Sequence, residues 1–150
     1  MSTIRSQPCS ACPYRSDVPS GIWALEEYEK LRRYDAPTSE QPIAAFSCHA
    51  TPEHLCHGWA VVHSSRGHEH DLLALRFVGS PEIAASSVEL FASGNAAADH
   101  GQRDVENPSD AAVATSERLL RKYERLRGSA HEDELAQSSR PCSTRVATGS

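Results

Sequence analysis

Pro8-Cys9-Ser10-Ala11-Cys12-Pro13-Tyr14-Arg15-Ser16-Asp17-Val18-Pro19 is the stretch that decides the fold. Three prolines in so short a span disfavour a regular helix or a central strand, so the segment reads as a turn-rich loop. A tight Cys-x2-Cys turn puts two thiolates on the same side, within reach of one ion. A second pair, Cys48-x7-Cys56, lies 35 residues further on. Two such pairs supply four thiolates, the tetrahedral shell that zinc favours in structural sites. The same four thiolates suit a [4Fe–4S] cluster, and Pro13 after Cys12 is similar to the Cys-Pro step of ferredoxin-type sites. The candidate metal ligands are therefore Cys9, Cys12, Cys48 and Cys56, with Zn2+ as the leading cofactor and a [4Fe–4S] cluster as the alternative. A thiol-redox pair is the third reading. It calls for a strand before Cys9 and a helix directly after Cys12, and Pro13 and Pro19 delay any helix.

Working outward, His49 and His57 follow Cys48 and Cys56 directly. Either imidazole can replace a thiolate as ligand, but with four cysteines at hand the plainer role is an N–H donor toward sulfur or a place on the surface. His63, His68 and His70 flank a polar hinge and are a candidate second ion site, with a solvated loop as the plainer reading. The fifth cysteine, Cys142, stands alone near the C-terminus. An odd cysteine count, and an N-terminal stretch without the apolar run of a signal peptide, lead us to expect a reduced protein of the cytoplasm rather than a disulfide framework.

The whole chain of 150 residues has a one-domain length, 39% hydrophobic residues and only 6% aromatics, which allows a modest core. No apolar run approaches the roughly 20 residues of a membrane helix. The formal charge of −5 disfavours a globally basic nucleic-acid binder. A helix is expected from Ser20 or Gly21 to Tyr34, capped by Ser20, with Ile22, Leu25, Tyr28 and Leu31 on one stripe. Ile43 to Cys48 is a strand or an extended arm. Thr51-Pro52 reads as the start of a helix that carries Cys56 in its second turn and Leu55, Trp59 and Val62 on one face. Asp71–Val78 reads as a short buried helix, with a strand as the competing reading because so short an apolar run does not settle the period, and residues 79–108 as irregular chain anchored by Leu90-Phe91. A last helix runs from Ser109 or Asp110 to Arg127 and stops at Gly128. Its basic residues Arg118, Arg121, Lys122, Arg125 and Arg127 give a solvated face, with a nucleic-acid face weakly supported, while Leu119, Tyr123 and Leu126 offer a narrow stripe to the core or to a protein partner. Residues 129–150 hold almost no apolar anchor and read as a disordered tail behind a domain of residues 1–128.

The runs Pro8-Cys9 to Pro13, Phe46-Ser47-Cys48-His49 and Cys56-His57-Gly58-Trp59, with Leu73-Ala74-Leu75-Arg76, Leu90–Gly94, His100-Gly101 and Asn107-Pro108, resemble an uncharacterised family of small actinobacterial and actinophage proteins. The resemblance covers about residues 8–127 and implies Cys9, Cys12, Cys48 and Cys56 as the shared cysteine set, with Cys142 outside it. It implies no activity. No Gly-x-Ser-x-Gly, phosphate loop or His-Glu-x-x-His is present, so an enzyme is the less favoured reading. The expected fold class is mainly α: a small irregular helical domain organised around a four-cysteine metal or cluster site. Its expected function is that of a metal-stabilised binding or regulatory protein. The first alternative is a [4Fe–4S] redox sensor or regulator, and the second a thiol-redox enzyme.

Overall fold

A computed structural model describes residues 3–67, 71–79 and 82–138, with side chains in these ranges as far as residue 129. Among the described residues there are five α-helices and no strand: α1 Leu25–Arg33, α2 His57–Ser64, α3 Leu73–Val78, α4 Gly94–Gln102 and α5 Asp110–Ser138, with a short 3-10 turn at Thr38–Glu40. Three isolated β-bridges tie loops together, pairing Ile4 and Ser47 with Leu55, and Arg15 with Leu90. The chain divides into two compact units, residues 1–116 and 117–150.

In the first unit the core is built on Tyr14, Tyr28, Leu31, Tyr34, Phe46, Leu55, Trp59, Val62 and the four cysteines of the first 56 residues. Its helices are short, and α1 packs on α4. Arg32 of α1 reaches across to Gln102 (2.7 Å) and Asp99 (2.8 Å) of α4. Leu90 and Phe91 pack against this core, and the Phe91 N–H donates to the Tyr14 carbonyl at 2.9 Å, so the expected anchor is present.

Several elements differ from expectation. Helix α1 begins at Leu25, not at Ser20 or Gly21. Gly21 has φ +80°, outside the helical range, and Ser20 turns its hydroxyl to the end of α4, donating to the Gly101 carbonyl at 3.0 Å. The N–H groups of Ile22 and Trp23 donate to the Tyr28 hydroxyl at 3.2 Å each instead of entering a helical ladder. Helix α2 begins at His57, not near Thr51. Thr51-Pro52 opens a turn closed by His54 N–H to Thr51 O at 2.9 Å. A Thr-Pro step starts a turn as readily as a helix. Helix α4 occupies part of the stretch expected to be irregular, capped by Ser93 Oγ, which accepts from Ala96 N–H at 3.0 Å. Helix α3 forms, but only Ala74 is fully buried, and Phe77 stands exposed.

The second unit is the greater part of α5, which spans the boundary between the two. Gly128 does not stop it, and the helix continues to Ser138. An exposed interior glycine costs a helix about 1 kcal/mol, too little to end one by itself. The described backbone is thus helical as far as Ser138; residues 139–150, with Cys142, lie outside the described residues. Leu120 and Leu126 are exposed on α5, and Leu119 and Tyr123 are half-buried.

Candidate metal centre

The four candidate ligands come from two small backbone devices. In the first, Cys12 N–H donates to Cys9 O at 3.1 Å and Arg15 N–H to Cys12 O at 3.1 Å, a double turn that keeps both thiols on one side. Trp23 braces it from α1's approach, its indole N–H donating to Ala11 O at 3.2 Å. In the second, Cys48 N–H donates to His54 O and Cys56 N–H to Phe46 O, both at 2.8 Å. This is a hairpin, not a helix, and it folds the seven intervening residues out of the way so that Cys48 and Cys56 return to the same region. Cys56 is then the N-cap of α2.

All four cysteines are free and buried. The Cys12 and Cys56 thiols are in hydrogen-bond contact, their sulfurs 3.8 Å apart, and Cys9 feels both Cys12 and Cys48. Among the described residues no three His, Cys, Asp or Glu side chains stand close enough together to hold a metal ion.

The backbone of Ala11, Tyr14 and Thr51 favours the charged form of Cys9, Cys12 and Cys48 respectively. Trp59 N–H points at Cys56 Sγ from 3.5 Å. Against these donors, the neighbouring thiols and burial push the thiols up: Cys9 through Cys12, Cys12 well up through Cys56, and Cys48, hydrogen-bonded to Cys9, to about 12. Protonated, buried thiols are poor nucleophiles, which disfavours the thiol-redox reading. Held as thiolates, four sulfurs gathered in a buried site would call for a cation to balance their charge. The donor set thus fits a soft or borderline divalent metal.

The histidines take other roles. His49 Nε2 lies 3.3 Å from Glu27 Oε2, and its ring stacks on Trp23 at 4.2 Å between centroids. His57 Nε2 lies 2.7 Å from the Ala84 carbonyl, and its buried Nδ1 has no hydrogen-bond partner among the described residues. His63, expected beside a solvated hinge, is instead fully buried on α2, and His68 and His70 lie outside the described residues.

His63 belongs to a buried polar chain that sequence reasoning missed. Its Nε2 lies 3.0 Å from the Tyr14 hydroxyl and its Nδ1 3.3 Å from Asp35 Oδ1. The Nδ1 contact is a charge contact and not an aligned hydrogen bond, since that nitrogen lacks a partner of good geometry. Asp35 also takes Arg66 at 2.6 Å and the N–H groups of Gly94 (2.9 Å) and Asn95 (2.7 Å) at the start of α4. The chain joins the Cys9–Cys12 turn, through Tyr14, to α2 and α4. Gly58 completes the fit: a Cβ there would stand 2.7 Å from Cys12 Sγ and 2.9 Å from Tyr14 Cβ.

Two expected outcomes follow from this chain. Tyr14→Phe leaves His63 Nε2 buried without its partner, at a cost of about 1–3 kcal/mol read as a lowered melting temperature. Burial works against the charge on Asp35, but His63 and the N–H groups of Asn95 and Gly94 outweigh it and hold the carboxyl at about 2 against an ordinary 3.8. A depressed carboxyl contributes stability that is complete above its unfolded value and is lost as pH falls through its folded value. The contribution is about 2 kcal/mol, disappearing between about pH 4 and pH 2. The acid limb of wild-type stability, compared with that of Asp35→Asn, measures it; parallel curves for the two proteins would refute the assignment.

No curated protein and no solved structure matches the chain. A family profile does, over residues 4–127, a span that holds both cysteine pairs, the polar chain and α1 to α4. The chain therefore belongs to the family of unknown function designated DUF6283.

Proposed function

We propose that the protein is a small metal-stabilised binding or regulatory protein in which Cys9, Cys12, Cys48 and Cys56 hold one structural zinc ion. The observation that carries this reading is the packing of four free, buried cysteines from two separate pairs into one core, with the Trp59 N–H aimed at Cys56 Sγ from 3.5 Å. Outer donors of this kind orient metal-bound thiolates and moderate their charge. The Cys12–Cys56 spacing of 3.8 Å adds to it. A tetrahedron with metal–sulfur bonds of about 2.3 Å has sulfur–sulfur edges of about 3.8 Å. Thiolates on a [4Fe–4S] cube each bind a separate iron and stand farther apart. The ion would close the N-terminal loop onto the 46–56 hairpin and offset the small core. The motif pattern supports an actinobacterial or actinophage origin. Residence in the cytoplasm, and a protein partner for α5, are parts of the same proposal; among the described residues no helix is long and apolar enough to cross a membrane.

Metal analysis of anaerobically purified protein is the test. About one zinc per chain in a colourless protein is expected, with cobalt substitution giving the intense absorption of tetrahedral thiolate coordination. Broad visible absorption with iron and sulfide would replace zinc by the cluster. A fully folded protein with neither would overturn both.

A further inference from the structure

Beside the thiol site, and sharing Cys48 with it, lies a groove of about 460 Å³ between α1 and the segment 42–49. That volume falls in the range of about 300–1,000 Å³ typical of small-molecule sites. One wall is apolar, made by Pro42, Ala44, Ala45 and Phe46. Tyr34 closes the wall, with its hydroxyl proton already donated to the Ala44 carbonyl at 2.6 Å.

The opposite wall carries the charge. Lys30 Nζ is bound by Glu27 Oε1 at 2.6 Å, and the other Glu27 oxygen lies 3.3 Å from His49, so these groups answer one another. Arg33 also lines the groove, is exposed, and has no carboxylate in ion-pair contact among the described residues. Glu29, which feels its charge, is already bound by Arg32 at 2.9 Å. The groove thus presents one uncommitted guanidinium above an apolar floor. A guanidinium fork matches a carboxylate through two parallel N–H···O bonds, which an ammonium cannot imitate. The floor supplies burial for an apolar body, worth about 25 cal/mol per Å² removed from water.

We propose that this groove binds a small amphiphilic carboxylate, its headgroup on Arg33 and its apolar body against Ala45, Phe46 and Tyr34. Cys48 joins the groove to the thiol site, and the carboxylate is recognised by Arg33 and not by sulfur. The groove's occupant has a single negative group and an apolar end; a cation or a doubly charged sugar phosphate does not match one guanidinium over an apolar wall.

The test uses the full chain with its metal as purified and 3-phenylpropionate as the probe, titrated calorimetrically and by NMR. Saturable binding is expected, with shifts centred on Phe46 and Tyr34. The neutral 3-phenylpropanol and the cationic 3-phenylpropylamine are expected to bind at least tenfold more weakly, as is the propionate to Arg33→Gln. Arg33 is exposed, so this variant keeps the wild-type melting curve and metal content. No saturable binding, equal affinity for alcohol and carboxylate, or unchanged affinity in Arg33→Gln would each overturn the proposal. Metal content measured in the same samples separates this result from the fate of the zinc reading.

Discussion

On the proposed four-thiolate zinc site, Cys48→Ser is expected to abolish zinc binding and to lower the stability of residues 3–116 by at least about 3 kcal/mol, the scale of removing one partner from a buried charged cluster. For a unit of this size that lowers the melting temperature by roughly 10 °C or more. The reasoning starts from the hairpin, which holds Cys48 by its backbone N–H to His54 O at 2.8 Å and would hold a serine at that position equally well. Loss of stability in this variant is therefore loss of the metal and not of the loop. Serine is close to cysteine in size, leaves the Phe46–Cys56 contact intact, and replaces a soft ligand by a weakly acidic hydroxyl that zinc does not recruit. Cys9→Ser, Cys12→Ser and Cys56→Ser are expected to behave alike, and Cys142→Ser to change neither metal content nor melting. A Cys48→Ser protein with full metal and an unchanged melting curve would sink the four-thiolate assignment. Substitution of all four with no effect on melting would reduce the site to ordinary buried thiols.

What the sequence disclosed of this arrangement depended on local chemistry. Cys9 and Cys12 were legible as a turn because the prolines around them leave few other conformations. The return of Cys48 and Cys56 to one region was legible only as a need of the metal, because Thr51-Pro52 suits a helix start and a turn alike, and the deciding contacts come from far away. Arg5 donates to Thr51 Oγ1 at 2.9 Å, and Leu55 N–H to Thr3 O at 2.9 Å. Helix α1 was read four or five residues too long because Ser20 is a good cap in isolation. Its hydroxyl instead serves the far end of α4, more than eighty residues away in sequence. The chain Tyr14–His63–Asp35 had no signal at all, since its members are separated by 49 and 28 positions and none is unusual in its own surroundings.

Helix α4 was missed for a different reason, and the second large expected effect turns on it. Gly94-Asn95-Ala96-Ala97-Ala98-Asp99-His100-Gly101 mixes strong helix formers with two glycines that weaken the average. If helix propensity alone decided, Gly101→Ala would stabilise α4 by up to about 1 kcal/mol. The packing of α1 on α4 reverses the sign. A Cβ at Gly101 would overlap Tyr28 Cε1 and Cδ1 and stand 2.6 Å from Tyr28 Cζ. That is the side of an aromatic ring 2% exposed in the core, with no free end to swing aside. Moving the ring also moves its hydroxyl, which receives the N–H groups of Ile22 and Trp23. Trp23 in turn braces the Cys9–Cys12 turn through Ala11 O. Overpacking of this kind costs about 1–3 kcal/mol and sometimes more, so Gly101→Ala is expected to lose a net of about 2 kcal/mol, with faster release of the ion to a chelator. Gly128→Ala is the matched control, because a Cβ there meets nothing within 4 Å on exposed α5. It is expected to raise helicity by the propensity term alone, about 1 kcal/mol. Calorimetric melting of both variants, with chelator-driven metal release followed alongside, reads the two effects together. A Gly101→Ala protein as stable as wild type, or more so, would show that α1 and α4 do not pack this closely.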